Sequence, residues 1–413
     1  MATVRPFKAI RPAKDKAAQV ESLPYDVMNR EEAAEMAKGN PYSFLHICRS
    51  EIDLPDEKDV YSPAVYAKAK QNIEDNLKSG VFVEEEKPAL YIYRQKMDGR
   101  YQTGIVGCVS VDEYKNDTIK KHELTRVEKE KDRINHFDAC NADTEPVFLT
   151  YKDDLRIRTI IEGYMSGNAP EYDFTDSTGI GHTLWVIRDD SIVSSLSELF
   201  KEVPALYIAD GHHRSASAVK VGEKRRAEHP DYTGDEEFNF FMAVIFPDNE
   251  LKIFDYNRVV KDLNGLSSAE FMEKIEKAGF AVEKVGGDIY MPQKLHEFSM
   301  YLEGSWYKLT ASEKIVPDDV IGALDVSVLQ NNLLGPVLGI ADPRTDERID
   351  FVGGIRGPKE LIRRAESDMK VAFAVYPVGI DQLMAVADGG MVMPPKSTWF
   401  EPKLGSGLFM HRL

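Results

Sequence analysis

Residues 204–220, PALYIADGHHRSASAVK, constrain the fold of this chain more than any other stretch. A short β-type run, Leu206-Tyr207-Ile208, breaks at Asp210-Gly211, and an Ala- and Ser-rich helical pattern follows at once. The pentad Asp210-Gly211-His212-His213-Arg214 is therefore expected at the mouth of a strand-turn-helix. There the first backbone N–H groups of the helix lack intrahelical acceptors and the dipole presents its positive end, so an anion is favoured. Gly211 lets the backbone approach a ligand closely, Arg214 offers a planar fork for phosphate oxygens, and two histidines add protonatable groups. The plainer alternative is a helix capped by Asp210 with exposed histidines. The complete pentad is harder to ascribe to packing than any one of its members.

A chain of 413 residues can bury a sizeable core and suits two or three domains. With 43% apolar and 29% charged residues it has the make-up of an ordinary globular protein. Acidic residues outnumber basic ones, 69 to 52, and the net charge of −17 would repel nucleic acid and anionic lipid over long range. A local basic pocket for a small phosphate compound remains compatible with that field. Cys48, Cys108 and Cys140 lie far apart with no CxxC pair, which argues against a disulfide scaffold or zinc knuckle and fits a reducing compartment. The first residues lack the apolar core of a signal peptide, and apolar runs such as 240–246 are too short to span a bilayer. A cytoplasmic protein with no membrane partner is expected.

Helical and strand patterns alternate, so the expected class is α/β in the mixed α+β sense: a central mixed sheet with flanking helices, in two closely packed lobes or one body. Helices are expected over residues 30–38, 64–77, 120–135, 191–200 and 271–277, and from the pentad to about Glu228. Strands are expected over 90–94, 101–106, 147–151, 185–187, 238–246 and 251–256; Asp98-Gly99 marks a hairpin and 143–146 a turn. The breaker-rich segment 229–234 places a boundary near 235. It separates residues 1–235, which carry the pentad, from 236–413, which carry a Pro-Pro-Lys-Ser-Thr loop.

Several separated segments make up one recognisable set: Leu23-Pro24-Tyr25-Asp26-Val27, the Asn40-Pro41-Tyr42 block through His46, and His122-Glu123 followed by Lys131-Asp132-Arg133. Glu145-Pro146-Val147-Phe148, and Met393-Pro394-Pro395-Lys396 through Phe400 with Pro402-Lys403, complete it. In this combination the chain resembles, over nearly its whole length, the bacterial and archaeal family DUF1015. Locally the pentad resembles the phosphate-binding turn of the ParB/sulfiredoxin superfamily, whose members carry Gly-x-x-Arg or Asp-Gly-His-x-Arg at a helix start. Nucleotide-binding partition proteins, ATP-using sulfiredoxins and free-serine kinases belong there. That resemblance implies a ParB/sulfiredoxin-like core, ATP or ADP with Mg²⁺ as cofactor, and serine or phosphoserine as substrate. Family members commonly follow the arginine with an aromatic residue and a glutamate. Ser215 and Ala216 stand there instead, so an acid or base at that point is missing.

A second candidate site is the charge-dense segment 120–133. On a helix His122, Arg126 and Lys129 would share one side, as would Glu123 and Arg126. His122 and Glu123 would supply a general base, and Arg126 or Arg133 a second phosphate contact. The alternative is a solvated helix laced with ion pairs. The third candidate is Lys396-Ser397-Thr398, stiffened by Pro394-Pro395 and suited to an anion, or else a rigid turn before a strand. His46 reads as a core histidine with a satisfied partner, His182 as a pocket or cap residue, and Asp26 as part of a turn.

No P-loop, Gly-x-Gly-x-x-Gly, His-Glu-x-x-His or nucleophile elbow occurs in the sequence. Adjacent histidines on a helix point about 100° apart and make a poor metal pair, so no metal ligands are assigned; Mg²⁺ could still enter with a nucleotide. The expected function is phosphoryl transfer or phosphoester hydrolysis on a small metabolite. In it Gly211, Arg214 and Ser215 hold phosphate, while Asp210, His212, His213 and Glu123 take part in the chemistry. A nucleotide-responsive regulator without turnover is the alternative, and a ParB-like nucleic-acid-binding protein is disfavoured by charge.

Overall fold

The computed structural model describes residues 1–286 and 288–413. Its class is the expected mixed α/β. Two compact units are present: Met1–Leu251 with Pro402–Leu413, and Lys252–Glu401. The division thus falls after 251 and again after 401, not near 235, because the strand Phe240–Pro247 hydrogen-bonds within the sheet of the first unit.

In chain order the first unit forms β1 (Ala9–Pro12), β2 (Phe82–Glu84), β3 (Leu90–Met97), β4 (Arg100–Ser110), β5 (Ile119–Lys120), β6 (Ala142–Asp143), β7 (Val147–Tyr151), β8 (Tyr172–Thr175), β9 (Gly181–Ile187), β10 (Leu206–Asp210) and β11 (Phe240–Pro247). Eight of them build one mixed sheet in the order β5-β10-β7-β11-β4-β3-β9-β8. The pairs β5/β10 and β7/β11 are parallel and the others antiparallel. Asp98 and Gly99 join β3 to β4 with φ of +51° and +78°, the doubly positive turn that matches strand twist. Central strands are apolar on both faces because helices cover them: Leu149, Ile208 and Ile245 pack in one cluster with Ile157, Leu196, Phe200 and Val221. Those partners come from the helices Leu155–Gly167, Asp190–Glu202 and His212–Glu228. A second cluster, around Phe44, Ala69 and Phe82, involves the helices Arg30–Ala37 and Pro63–Lys78.

One expected helix starts late. The segment 120–135 is helical only from Val127, continuing to Cys140, while Ile119 and Lys120 form β5 against Leu206 and Tyr207. Charge spacing does not distinguish a helix from an extended segment, and here pairing with β10 wins. His122, Glu123 and Arg126 therefore lie on a loop, not on a shared helical face.

The second unit contains β12 (Ile253–Phe254), β13 (Tyr256–Val260), β14 (Phe280–Gly286), β15 (Glu297–Leu302), β16 (Ser305–Ala311), β17 (Ile349–Gly353), β18 (Val371–Val375) and β19 (Trp399–Phe400). Six form an antiparallel sheet, β14-β16-β15-β18-β13-β17, and β12 pairs with β19. The strand expected over 251–256 is split at Asp255, whose carbonyl accepts the Gly354 N–H at 2.7 Å while β12 and β13 join different sheets. After this unit the chain re-enters the first one with β20 (Met410–Arg412), completing a four-stranded sheet, β2-β1-β20-β6. Among the described residues no helix is long and apolar enough to cross a membrane, and the three cysteines are free and buried.

Candidate phosphate-binding turn

The pentad falls where its residues direct it. β10 ends in an irregular register, with Ile208 opposite Leu149 and Asp210 opposite Phe148, and Gly211 follows at φ +92°. That left-handed conformation suits glycine, and a Cβ there would stand 3.1 Å from Arg214 Nε. The helix begins at His212, and Ser215 N–H to Gly211 C=O, 2.9 Å, is the first bond of its ladder. The amides of His212, His213 and Arg214 stand ahead of that ladder, at the positive end of the dipole.

Arg214 does not extend its fork outward. It is only 2% exposed; its Nη1 donates to the Pro146 carbonyl at 2.7 Å and its Nη2 to Asp210 Oδ2 at 3.2 Å. Burial opposes its charge, but Asp26, Asp210 and Glu145 more than compensate and hold it protonated. Lys403 Nζ approaches the other Asp210 oxygen at 3.5 Å. Burial alone would raise the Asp210 carboxyl, yet Lys403 and Arg214 keep it below its usual range. Ser215 Oγ donates to the Gly211 carbonyl at 3.1 Å and the residue is fully buried, so its hydroxyl serves the helix, not a ligand.

The loop after β5 brings His122 over His212. Their rings meet edge to face with centroids 4.5 Å apart, and His122 N–H makes a long contact of 3.5 Å to His212 Nε2. Glu123 Oε2 lies 3.8 Å from His212 Nδ1. Burial pushes His122 down to about 4 and His212 well below its ordinary value, so both rings are neutral at neutral pH. Burial also lowers His213, whose Nε2 accepts the Arg126 N–H at 2.9 Å. Arg126 thus contributes its amide here, and its side chain is exposed.

Arg133 lies deeper. Its guanidinium sits 4.0 Å over the Tyr25 ring, its Nε donates to Asp132 Oδ2 at 3.0 Å, and its Nη1 stands 3.8 Å from Glu145 Oε2. Glu145 also accepts from Tyr25 N–H at 3.3 Å and Ser406 Oγ at 2.8 Å, and desolvation raises its carboxyl despite Arg214 and Arg133. A cavity of 350 Å³ adjoins this network, lined in part by Arg30, Arg49, Glu51, Asp132, Arg133 and His136. Tyr25, Glu145 and Lys403 were not among the sequence candidates. Each lies in a segment used for the family resemblance, which was the available signal.

The Lys396-Ser397-Thr398 loop belongs to the second unit, whereas the pentad belongs to the first. Lys396 Nζ sits 5.3 Å from the Tyr256 ring centre and Ser397 Oγ donates to the Pro394 carbonyl at 2.6 Å, so both groups already have local partners. His46 is half-buried, not a core residue, and its Nδ1 meets Asp53 at 2.7 Å. His182 is buried between Tyr93 Oη, 2.6 Å from Nδ1, and Asp176, 3.1 Å from Nε2.

The family model described as a protein of unknown function, DUF1015, matches residues 4–327. The chain belongs to this family. The DUF1015 match includes the pentad, the His122 loop and Glu145, and ends before the Met393-to-Lys403 segment. No curated protein matches the chain. Solved structures with a loose likeness include a free serine kinase in complex with AMP, at 15% identity over 73% of this chain and 92% of that one, with a TM-score of 0.35. SbnI from Staphylococcus aureus, truncated at its C-terminus, gives 11%, 74%, 87% and 0.40. A conserved hypothetical protein from Pyrococcus furiosus gives 14%, 74%, 94% and 0.35. Overlaps this low transfer no activity.

Proposed function

We propose that this chain binds a phosphoryl group at the start of the helix His212–Glu228 and catalyses phosphoryl transfer or phosphoester hydrolysis on a small metabolite. The observation that carries this reading is the left-handed Gly211 leading into three amides ahead of the helical ladder, backed by Arg214 and Lys403. Amides and dipole would offset charge on the transferring group, with Lys403 supplying a second cation and Arg214 fixing the turn from behind. Neutral His212 or His213 would accept the proton of the attacking hydroxyl as its oxygen bonds to phosphorus and the leaving oxygen departs with the former bond pair. Glu123 would orient the His212 imidazole. The 350 Å³ cavity beside Arg133 suits a small acceptor better than a whole nucleotide. ATP or ADP with Mg²⁺ as donor, serine or phosphoserine as metabolite, and the kinship of the turn with the ParB/sulfiredoxin type belong to this proposal.

A thermal-shift panel of ATP, ADP, serine, phosphoserine and inorganic phosphate, each with and without Mg²⁺, tests it. A phosphorylated ligand should raise the melting temperature of the natural chain, and Lys403→Ala should abolish most of that rise. No shift with any ligand, or an undiminished shift in the variant, overturns the reading. A nucleotide shift with no product from any acceptor would instead favour a regulator without turnover.

A further inference from the structure

His122 is 2% exposed, and among the described residues neither its Nδ1 nor its Nε2 has a hydrogen-bond partner. Leaving a buried polar group unpaired is costly, and one imidazole with both nitrogens unpaired is unusual. The other buried His-carboxylate cluster behaves differently. In Glu21, Asp176 and His182 both imidazole nitrogens are taken, by Tyr93 and Asp176. His122 instead faces His212 edge to face, and one donor atom from each of His122, Glu123 and His212 lies within 4.8 Å of the others.

We propose that His122, Glu123 and His212 bind one divalent first-row transition-metal ion. Donors about 2.1 Å from a common ion stand roughly 3–4 Å apart, so side-chain rotations of about 1 Å close the set. Glu123 lies on a loop, and its side chain is 57% exposed. Two imidazoles and one carboxylate select zinc, iron or cobalt over magnesium or calcium, which prefer oxygen-only shells. Three protein ligands leave positions open for water or a substrate oxygen beside the amides of His212 and His213. The ligands reach one point because β5 and β10 are parallel neighbours, so the residues after both strands emerge at the same end of the sheet. The pairing that matters is His122 with His212, not the adjacent His212 and His213. This site goes beyond the phosphoryl-transfer reading; with an ion bound, His212 and Glu123 act as ligands, and of the two histidines offered there as base only His213 stays available to take the proton.

The test uses tag-free full-length protein, stripped with a chelator and titrated with Co²⁺ by visible absorption and with Zn²⁺ by calorimetry. One equivalent of Co²⁺ should bind with visible ligand-field bands. His212→Ala should lose them, and Glu123→Ala should weaken binding by roughly tenfold or more, since even outer-shell partners are worth about 10–100-fold. His229→Ala, at an exposed histidine elsewhere, should bind as the natural chain does. Circular-dichroism melting of each variant separates lost ligation from lost fold, and exposed Glu123 gives a variant that keeps the fold. No stoichiometric binding, or equal affinity in Glu123→Ala and the natural chain, overturns the proposal. Metal binding in a protein that shows no phosphate-ligand shift would support the metal site and sink the transfer reading; the reverse result would do the opposite.

Discussion

Gly211, Arg214 and Lys403 surround one carboxylate, yet their substitutions should separate cleanly. A side chain at φ +92° is strained by about 1–2 kcal/mol, and the Cβ of Gly211→Ala would also press on Arg214. Urea denaturation should show that loss, and an unchanged midpoint would remove the case for a glycine-only turn. Arg214→Ala leaves buried charge unpaired and should cost roughly 3–5 kcal/mol, so it reports on folding before binding. Lys403 is less deeply held, which makes it the better probe of a ligand. His136 gives a pH signature. Burial, followed by Arg133, lowers it to about 3 from its ordinary 6.5, and as a neutral ring it meets the Ile47 carbonyl at 3.0 Å. Between those values the unfolded chain takes up the proton and the folded one does not. Stability from this residue is therefore full above 6.5 and is lost as pH falls toward 3. Urea midpoints at about pH 7.5 and about pH 4.5 should fall further in the natural chain than in His136→Gln; equal falls would refute the assignment.

The helix His212–Glu228 carries the site and is itself held by a close approach. A Cβ on Gly222 would stand 2.5 Å from the Phe238 carbonyl, backbone that cannot swing aside. Gly222→Ala should therefore cost about 1–3 kcal/mol of overpacking, and a melting temperature equal to that of the natural chain would contradict this packing. The start of this helix was readable because strand-forming residues, a glycine and small helix formers follow one another within a few positions. The Asp98-Gly99 hairpin was readable for the same reason. The late start of the helix Val127–Cys140 was not, since it depends on a two-residue pairing of Ile119-Lys120 with Leu206-Tyr207 far along the chain. Nor was the meeting of His122 with His212, ninety positions apart. Local pattern fixes an element's type, whereas a site assembled from separate loops depends on topology that spacing does not encode.

At the scale of the molecule, the second unit is an insertion with its own core, in which Val259, Trp306, Leu361 and Ala372 are buried together. Residues 252–401 expressed alone should melt cooperatively with Trp306 shielded from aqueous quenchers; a broad, non-cooperative transition would show that this unit depends on the other. The net charge of −17 predicts no retarded band with duplex DNA at physiological salt in a gel-shift assay.

Because the first unit is interrupted, its assembly is staggered in time. At roughly 5–20 residues per second, Lys403 leaves the ribosome on the order of 10–40 s after Asp210, and the closing strand β20 leaves later still. Until then the nascent chain carries the glycine turn and its arginine without the lysine, and β1 paired only with β2. A translation product broken off anywhere in the inserted unit would thus release a protein with an unfinished sheet edge and, under the proposed function, an incomplete ligand grip, so that the proposed ligand capture would be reserved for chains that have been read past the insertion.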